Sequence, residues 1–250
     1  MTTSLPTLPL IAILGGTGKE GSALALRWAK AGYPVLLGSR SAERAGQTAM
    51  ELNAQLGHGN IRGLDNEAAA REGNIIVLTV PPDAHLSTLS SVKAALAGKI
   101  LVDATARVDA KDPRPPEGKA APRAAQDLLG PEVRVVAAFQ NVPAHALKKL
   151  DHELESDVLV CGDDAEARAE VVTLAEAAGM RAYEAGGLDN ALVVEGLTAL
   201  IISINKRYKS KTGGIRISGV EKAGNGLHRE PAKGSPNGAS DDPPWLTRVG

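Results

Sequence analysis

Residues 8–21 read Leu-Pro-Leu-Ile-Ala-Ile-Leu-Gly-Gly-Thr-Gly-Lys-Glu-Gly, and the fold is decided there. Leu10 to Leu14 form an apolar run without polar alternation, the pattern of a strand buried on both faces of a parallel sheet. Gly16, Gly18 and Gly21 then spell G-x-G-x-x-G, followed by a helical pattern rich in alanine and leucine. Each glycine has an expected task. Gly16 makes the tight turn, Gly18 lets a pyrophosphate approach the backbone, and Gly21 lets the helix pack closely on the strand. A helix N-terminus offers free N–H groups and a partial positive charge to phosphates. The motif alone is weak, but a strand before it and a helix after it are the context that dinucleotide binding requires. The plainer alternative is a glycine turn that merely packs a first βα unit.

The next informative stretch lies at the end of the second strand, Tyr33 to Gly38, which runs into Ser39-Arg40-Ser41-Ala42-Glu43-Arg44. A site for NAD calls for an Asp or Glu there, to accept hydrogen bonds from the ribose 2′-hydroxyl. This chain instead offers the Ser39 hydroxyl and the guanidinium groups of Arg40 and Arg44, which are charge-assisted donors suited to a 2′-phosphate. The alternative is that Ser41 caps the next helix while Arg40 and Arg44 are solvated surface charges; capping by Ser41 fits either case. The expected cofactor is NADP.

Composition narrows the rest. A chain of 250 residues can bury a sizeable core. Its net charge of −1, with only one Phe, three Tyr and two Trp, gives neither the basic surface nor the stacking platforms of a nucleic-acid binder. The single Cys161 excludes an internal disulfide, and sitting in an apolar run it reads as an inert thiol. The five histidines lack H-x-x-x-H or H-E-x-x-H spacing, so no metal is expected. No basic n-region precedes the first strand and no stretch approaches a membrane span in length, so a cytoplasmic protein without a membrane partner is expected.

Strands alternate with helices as far as Pro143, which argues for an α/β fold: a Rossmann-type doubly wound parallel sheet. Ile75 to Val80 reads as a buried strand closed by Pro81 and Pro82, and Asp83 to Leu96 as one helix. Val80 and Pro81 should then lie near the adenosine or pyrophosphate, since ligands of open sheets sit beyond the strands' carboxyl ends. Lys99 to Thr105 is a further strand, with Thr105 at its functional end. Asp109 to Pro122 reads as a loop, Ala124 to Leu129 as a helix, and Val133 to Phe139 as a strand. A small C-terminal α+β domain is expected beyond it. The expected organisation is a dinucleotide-binding domain over residues 8–145, a smaller domain over 146–220, and a disordered tail over 221–250 that has only Trp245 and Leu246 as anchors. A helix carrying Val193, Leu197, Leu200, Ile201 and Ile204 at helical spacing needs a partner surface, so a homodimer is expected. Glu195 on that helix reads as an exposed or i,i+4-paired charge.

Several catalytic solutions are absent. None of Tyr33, Tyr183 or Tyr208 has a Lys four residues on, and there is no G-x-S-x-G elbow or P-loop. His145 follows the last sheet strand and could face the cleft, but a lone histidine on a loop is more often a surface residue, and Lys148 and Lys149 are similarly ambiguous. The wall opposite the nicotinamide, Phe139-Gln140-Asn141-Val142-Pro143, carries no acid or base, which suits hydride transfer between two stacked cofactors.

Taken together, the chain resembles the NADP-dependent reductases of the deazaflavin coenzyme F420. The resemblance is carried by Leu14-Gly15-Gly16-Thr17-Gly18 to Gly21, Gly38-Ser39-Arg40, Thr79-Val80-Pro81, Val102-Asp103-Ala104-Thr105, Ala138-Phe139-Gln140-Asn141-Val142-Pro143-Ala144 and Val158 to Asp164. It spans Leu8 to about Val220. It implies deazaflavin lying over the nicotinamide in a cleft between the two domains. Thr17, Ser39, Arg40 and Arg44 match NADP-contacting positions, while Gln140 and Val142 match the pair flanking the reacting rings. Gly16, Gly18, Gly21, Asn141, Pro143 and Ala144 complete the expected binding set. Two other readings stay open: an NADP-dependent reductase of a small carbonyl or imine held by Arg107 or His145, and a non-catalytic NADP-binding regulator.

Overall fold

A parallel strand must bury both faces, and the apolar runs of this chain do so by alternation. The computed structural model describes residues 8–152 and 154–220. Its strands are β1 (Ile11–Leu14), β2 (Val35–Ser39), β3 (Ile61–Asp65), β4 (Ile75–Leu78), β5 (Ile100–Asp103), β6 (Arg134–Ala137), β7 (Val158–Gly162) and β8 (Ala182–Glu184). Its helices are α1 (Lys19–Lys30), α2 (Ala42–Leu56), α3 (Asn66–Glu72), α4 (His85–Val92), α5 (Ala121–Leu129), α6 (Ala144–Leu147), α7 (Ala165–Ala177) and α8 (Ala191–Arg207). Ile11, Ile13, Val35, Leu37, Ile75 and Val77 join Leu24, Trp28 and Leu174 in one core layer. Ala12, Leu14, Leu36, Ile76 and Leu78 join Ala69, Leu89, Leu129 and Val194 in a second layer on the sheet's other face.

The strand order is β3-β2-β1-β4-β5-β6-β7-β8. The first six strands are parallel, so the order reverses between β1 and β4, where a doubly wound sheet opens its ligand crevice. Register aligns the edge of that crevice. Leu14 is level with Gly38 and Leu78, Leu78 with Asp103, and Asp103 with Ala137. The loops after five strands therefore leave the sheet side by side.

Beyond β6 the sheet continues without a break. β7 pairs antiparallel with β6, and β8 pairs parallel with β7. The expected boundary at residue 145 thus lies within one eight-stranded sheet, and the described residues up to Arg216 form a single compact unit. Arg27 on α1 ties its halves together, donating to the carbonyls of Leu147 (2.7 Å), Lys149 (2.8 Å) and Ala178 (2.9 Å). Trp28 Nε1 donates to Leu174 C=O at 2.8 Å, and its ring meets Phe139 edge-on at 5.9 Å.

Some expectations give way to local chemistry. β4 ends at Leu78: the Thr79 N–H makes the last ladder bond, to Leu14 C=O, and the two prolines that follow have no N–H to extend it. The helix expected over 83–96 is broken into α4 between two short 3₁₀ turns, Pro82–Ala84 and Lys93–Ala95. The hydroxyls of Ser87, Ser90 and Ser91 bond back to Ala84, Leu86 and Thr88 carbonyls, competing with the helical ladder. α5 begins earlier than expected, with Pro122 in its first turn, where a missing N–H costs nothing. The 20-residue helical stretch Leu188–Arg207, of mean hydropathy 1.4, does meet a membrane span in length and composition. The scattered polar residues Glu195, Thr198, Ser203 and Asn205 disguise this in the sequence, and the helix lays Ala191, Val194, Glu195, Ala199 and Ile201 against the body. The tail expected over 221–250, with Trp245 and Leu246, lies outside the described residues.

Candidate functional site

At the carboxyl edge, the loops after β1, β2, β4, β5 and β6 enclose a cavity of about 800 Å³. The floor is the glycine turn. Gly15, and not Gly16 as expected, takes the left-handed conformation that makes the bend (φ +74°). Gly16 lies behind it, its N–H donating to Ile13 and Gly38 carbonyls at 3.1 and 2.9 Å. A Cβ there would meet Leu37 at 2.7 Å. Gly21 is equally confined, 2.6 Å from Thr79 Oγ1 and 2.8 Å from Gly16 Cα by the same test. Gly16 and Gly21 thus shape the floor from behind, while Thr17 and Gly18 line it, with Gly18 exposed at the start of α1. Asn66, which sequence reasoning missed, also lines it and accepts the Gly15 N–H at 3.4 Å.

One end of the cavity is cationic. Ser39, Arg40, Ser41 and Arg44 line it. Ser41 caps α2 by accepting the Arg44 N–H (3.2 Å), and Ser39 Oγ accepts the Ser41 N–H (3.3 Å). Among the described residues neither Arg40 nor Arg44 has an ion-pair partner, so two guanidinium groups are left to meet an anion. Val80 and Pro81 form the wall after β4, followed by Pro82 and Asp83.

The other end is built on a strained turn. Phe139 is fully buried yet holds φ +73°, a conformation that costs about 1–3 kcal/mol for a non-glycine residue. Burial against Trp28 holds it there. The chain then reverses, with the Val142 N–H donating to Phe139 C=O at 2.9 Å, and Gln140, Val142 and Ala144 face the cavity. Asn141 points away and donates to Asp157 C=O at 2.8 Å, while Pro143 serves as the N-cap of α6. Thr198 on α8 steadies the turn by donating to Gln140 C=O at 3.0 Å. Both amide atoms of Gln140 and the Thr105 hydroxyl are buried without hydrogen-bond partners among the described residues. Such orphaned groups are costly unless something pairs with them, and here they line the cavity.

Two sequence readings are corrected. Glu195 is neither exposed nor paired along its helix but fully buried. It accepts the Ala121 N–H at 2.7 Å and Arg107 Nε at 3.0 Å, and desolvation raises its pKa above the usual carboxylate range despite both bonds. Arg107 is turned toward Glu195 and the Glu117 carbonyl, so it is Ala106 that reaches the cavity. His145 is exposed and outside the lining. A buried His85–Asp103 pair at 2.6 Å sits under the same edge, with Asp103 also accepting the Thr105 N–H at 3.0 Å. Among the described residues no group of His, Cys, Asp and Glu is placed to hold a metal.

A family model described as NADP oxidoreductase, coenzyme F420-dependent, matches residues 10–107. An F420-dependent NADP reductase of Methanocaldococcus jannaschii is 43% identical over 224 residues, covering 84% of this chain and 99% of that protein. The chain belongs to the F420-dependent NADP reductase family. A family member from Methanothermobacter thermautotrophicus is 40% identical over 220 residues, 84% of this chain and 95% of that one. A solved structure from Arthrobacter sp. FB24, provisionally described as an F420-dependent NADP reductase, aligns with a TM-score of 0.70 at 25% identity. It covers 83% of this chain and 98% of that one. The family match spans the glycine turn, the Ser39–Arg44 corner, the wall after β4 and the end of β5.

Proposed function

We propose that this protein transfers a hydride between NADP(H) and the deazaflavin coenzyme F420, and that the carboxyl-edge cavity is where both bind. The observation that carries the reading is the cavity's polarity: among the described residues, two arginines without ion-pair partners lie at one end and a pair of orphaned neutral groups, Gln140 and Thr105, at the other. Arg40, Arg44 and Ser39 would hold the 2′-phosphate, and the Thr17 N–H with the N-terminal turn of α1 the pyrophosphate, the Gly18 N–H being taken by Gly15 C=O at 3.0 Å. Val80 and Pro81 would flank the adenosine side.

The nicotinamide and the deazaflavin supply, between them, a hydride donor and an acceptor carbon. Thr105 and Gln140 offer hydrogen bonds that fix a ring edge in its plane. Val142 and Ala144 provide an apolar wall that sets ring spacing and excludes water. Residues 8–145 would form the NADP side and residues 146–220 the far side of the deazaflavin cleft. Its apolar stripe of Val193, Leu200 and Ile204, all exposed, supports a homodimer through α8. A cytoplasmic location is proposed with it.

Purified protein mixed with NADPH and oxidised F420 should bleach the deazaflavin absorbance with turnover. NADPH binding without reduction of F420 would contradict the reading.

A further inference from the structure

His85 opens α4, directly after the Pro82–Ala84 turn whose residues line the cavity, and Asp103 ends β5. Both side chains are buried, and His85 Nε2 donates to Asp103 Oδ2 at 2.6 Å. The other oxygen, Oδ1, accepts the Thr105 N–H at 3.0 Å. Asp103 also steadies the inner wall through its backbone. Its C=O accepts the Ala138 N–H at 3.3 Å, one residue before the strained Phe139 turn that presents Gln140. One aspartate thus joins the chain after β4, β5 and β6. With both of its oxygens engaged, the Thr105 hydroxyl stays buried on the cavity lining without a partner among the described residues.

We propose that His85 is a positioning residue for hydride transfer: by holding Asp103 Oδ2, it leaves the Thr105 hydroxyl free to bond the edge of the reacting nicotinamide ring. This rests on NADP(H) occupying the cavity and reducing F420 there. A carboxylate only accepts, so any donor in reach competes for its oxygens. Without His85, Oδ2 is a buried acceptor short of a partner, a state costly enough to recruit an orphaned donor. The Thr105 hydroxyl is that donor, two residues along and already tied through its N–H to the same carboxylate. Drawn back to Asp103, it no longer orients the ring, while the phosphates keep their contacts at the other end. The rate of transfer then falls without a matching loss of affinity.

Single-turnover reduction of F420 by NADPH, with NADPH dissociation constants from fluorescence, tests this in the full-length protein. His85→Leu should slow hydride transfer by roughly fivefold to tenfold, the worth of one hydrogen bond, and leave the NADPH Kd within about twofold. His85→Gln, whose amide N–H can serve the same oxygen, should recover most of the rate. Thr105→Val should slow transfer by a similar factor, and adding His85→Leu to it should cost little more, since both act through one hydroxyl. His85→Met carries the same comparison if the leucine variant does not fold. An unchanged rate in His85→Leu, an equal loss in His85→Gln, or losses that multiply in the double variant would overturn the proposal. Wild type that binds NADPH without reducing F420 would overturn the reading of the site as well; turnover in wild type with multiplying losses would remove only the role of His85.

Discussion

On the proposed placement, a 2′-phosphate would bring close to two negative charges to the end of β2, where Arg40 and Arg44 line the cavity and, among the described residues, form no ion pair. Each charge-assisted bond contributes about 1.5–3 kcal/mol. Arg40→Ala should therefore weaken NADPH binding by roughly tenfold to a hundredfold and leave NADH nearly unchanged, as read from the two dissociation constants. Equal losses would mean that Arg40 serves the pyrophosphate or the fold. Glu20 makes a second prediction on stability. Burial on the first turn of α1 pushes its carboxyl from the ordinary 4.5 up to about 8. The stability it contributes is full below the unfolded pKa and is lost as pH rises through the folded one. The thermal midpoint of Glu20→Gln relative to wild type should rise from about pH 5 to pH 8 and then level off; a difference independent of pH would exclude this. Ser39, Arg40 and Gln140 were legible in the sequence because a strand end fixes where they project. Asn66 was not, because it reaches the glycine turn from α3, 51 positions along the chain. Gly15 was missed because the fingerprint counts glycines without their backbone angles.

At the scale of elements, α8 holds the loop between β5 and α5. Glu195 bonds the first N–H of α5 and the Arg107 guanidinium, and Lys206 Nζ donates to the carbonyls of Ala110 (3.3 Å) and Lys111 (2.7 Å). Arg107→Ala would leave a buried carboxyl short of a partner, so stability should fall by about 1–3 kcal/mol. NADPH affinity should change little, since Arg107 lies outside the cavity. A large loss of affinity with unchanged stability would return Arg107 to the role of substrate anchor. The helices and strands were legible from periodicity, and their ends less so. Pro81 and Pro82 closed β4, and serine back-bonding broke the helix expected over 83–96. The role of Glu195 depends on a contact with Ala121, 74 positions away, which no local pattern reveals.

For the whole molecule, one sheet runs from β3 to β8, and Arg27 and Trp28 stitch the first helix to the C-terminal half. Heating should give a single calorimetric transition for the body, with calorimetric and van't Hoff enthalpies in agreement. Two separated transitions would show that the halves are independent domains. The sequence suggested a boundary near residue 145 because the strand–helix alternation changes there. The antiparallel pairing of β6 with β7 is a long-range event that hydrophobic pattern does not encode. The central claim is direct hydride transfer across a cavity that positions rings without supplying the transferred hydrogen. It is tested most directly by reducing F420 with NADPH deuterated at the transferring ring carbon, in ordinary water, and locating the label. The account predicts deuterium retained on the ring carbon of the reduced deazaflavin, in wild type and in His145→Ala alike. Label lost to solvent, or no reduction of F420, would contradict it.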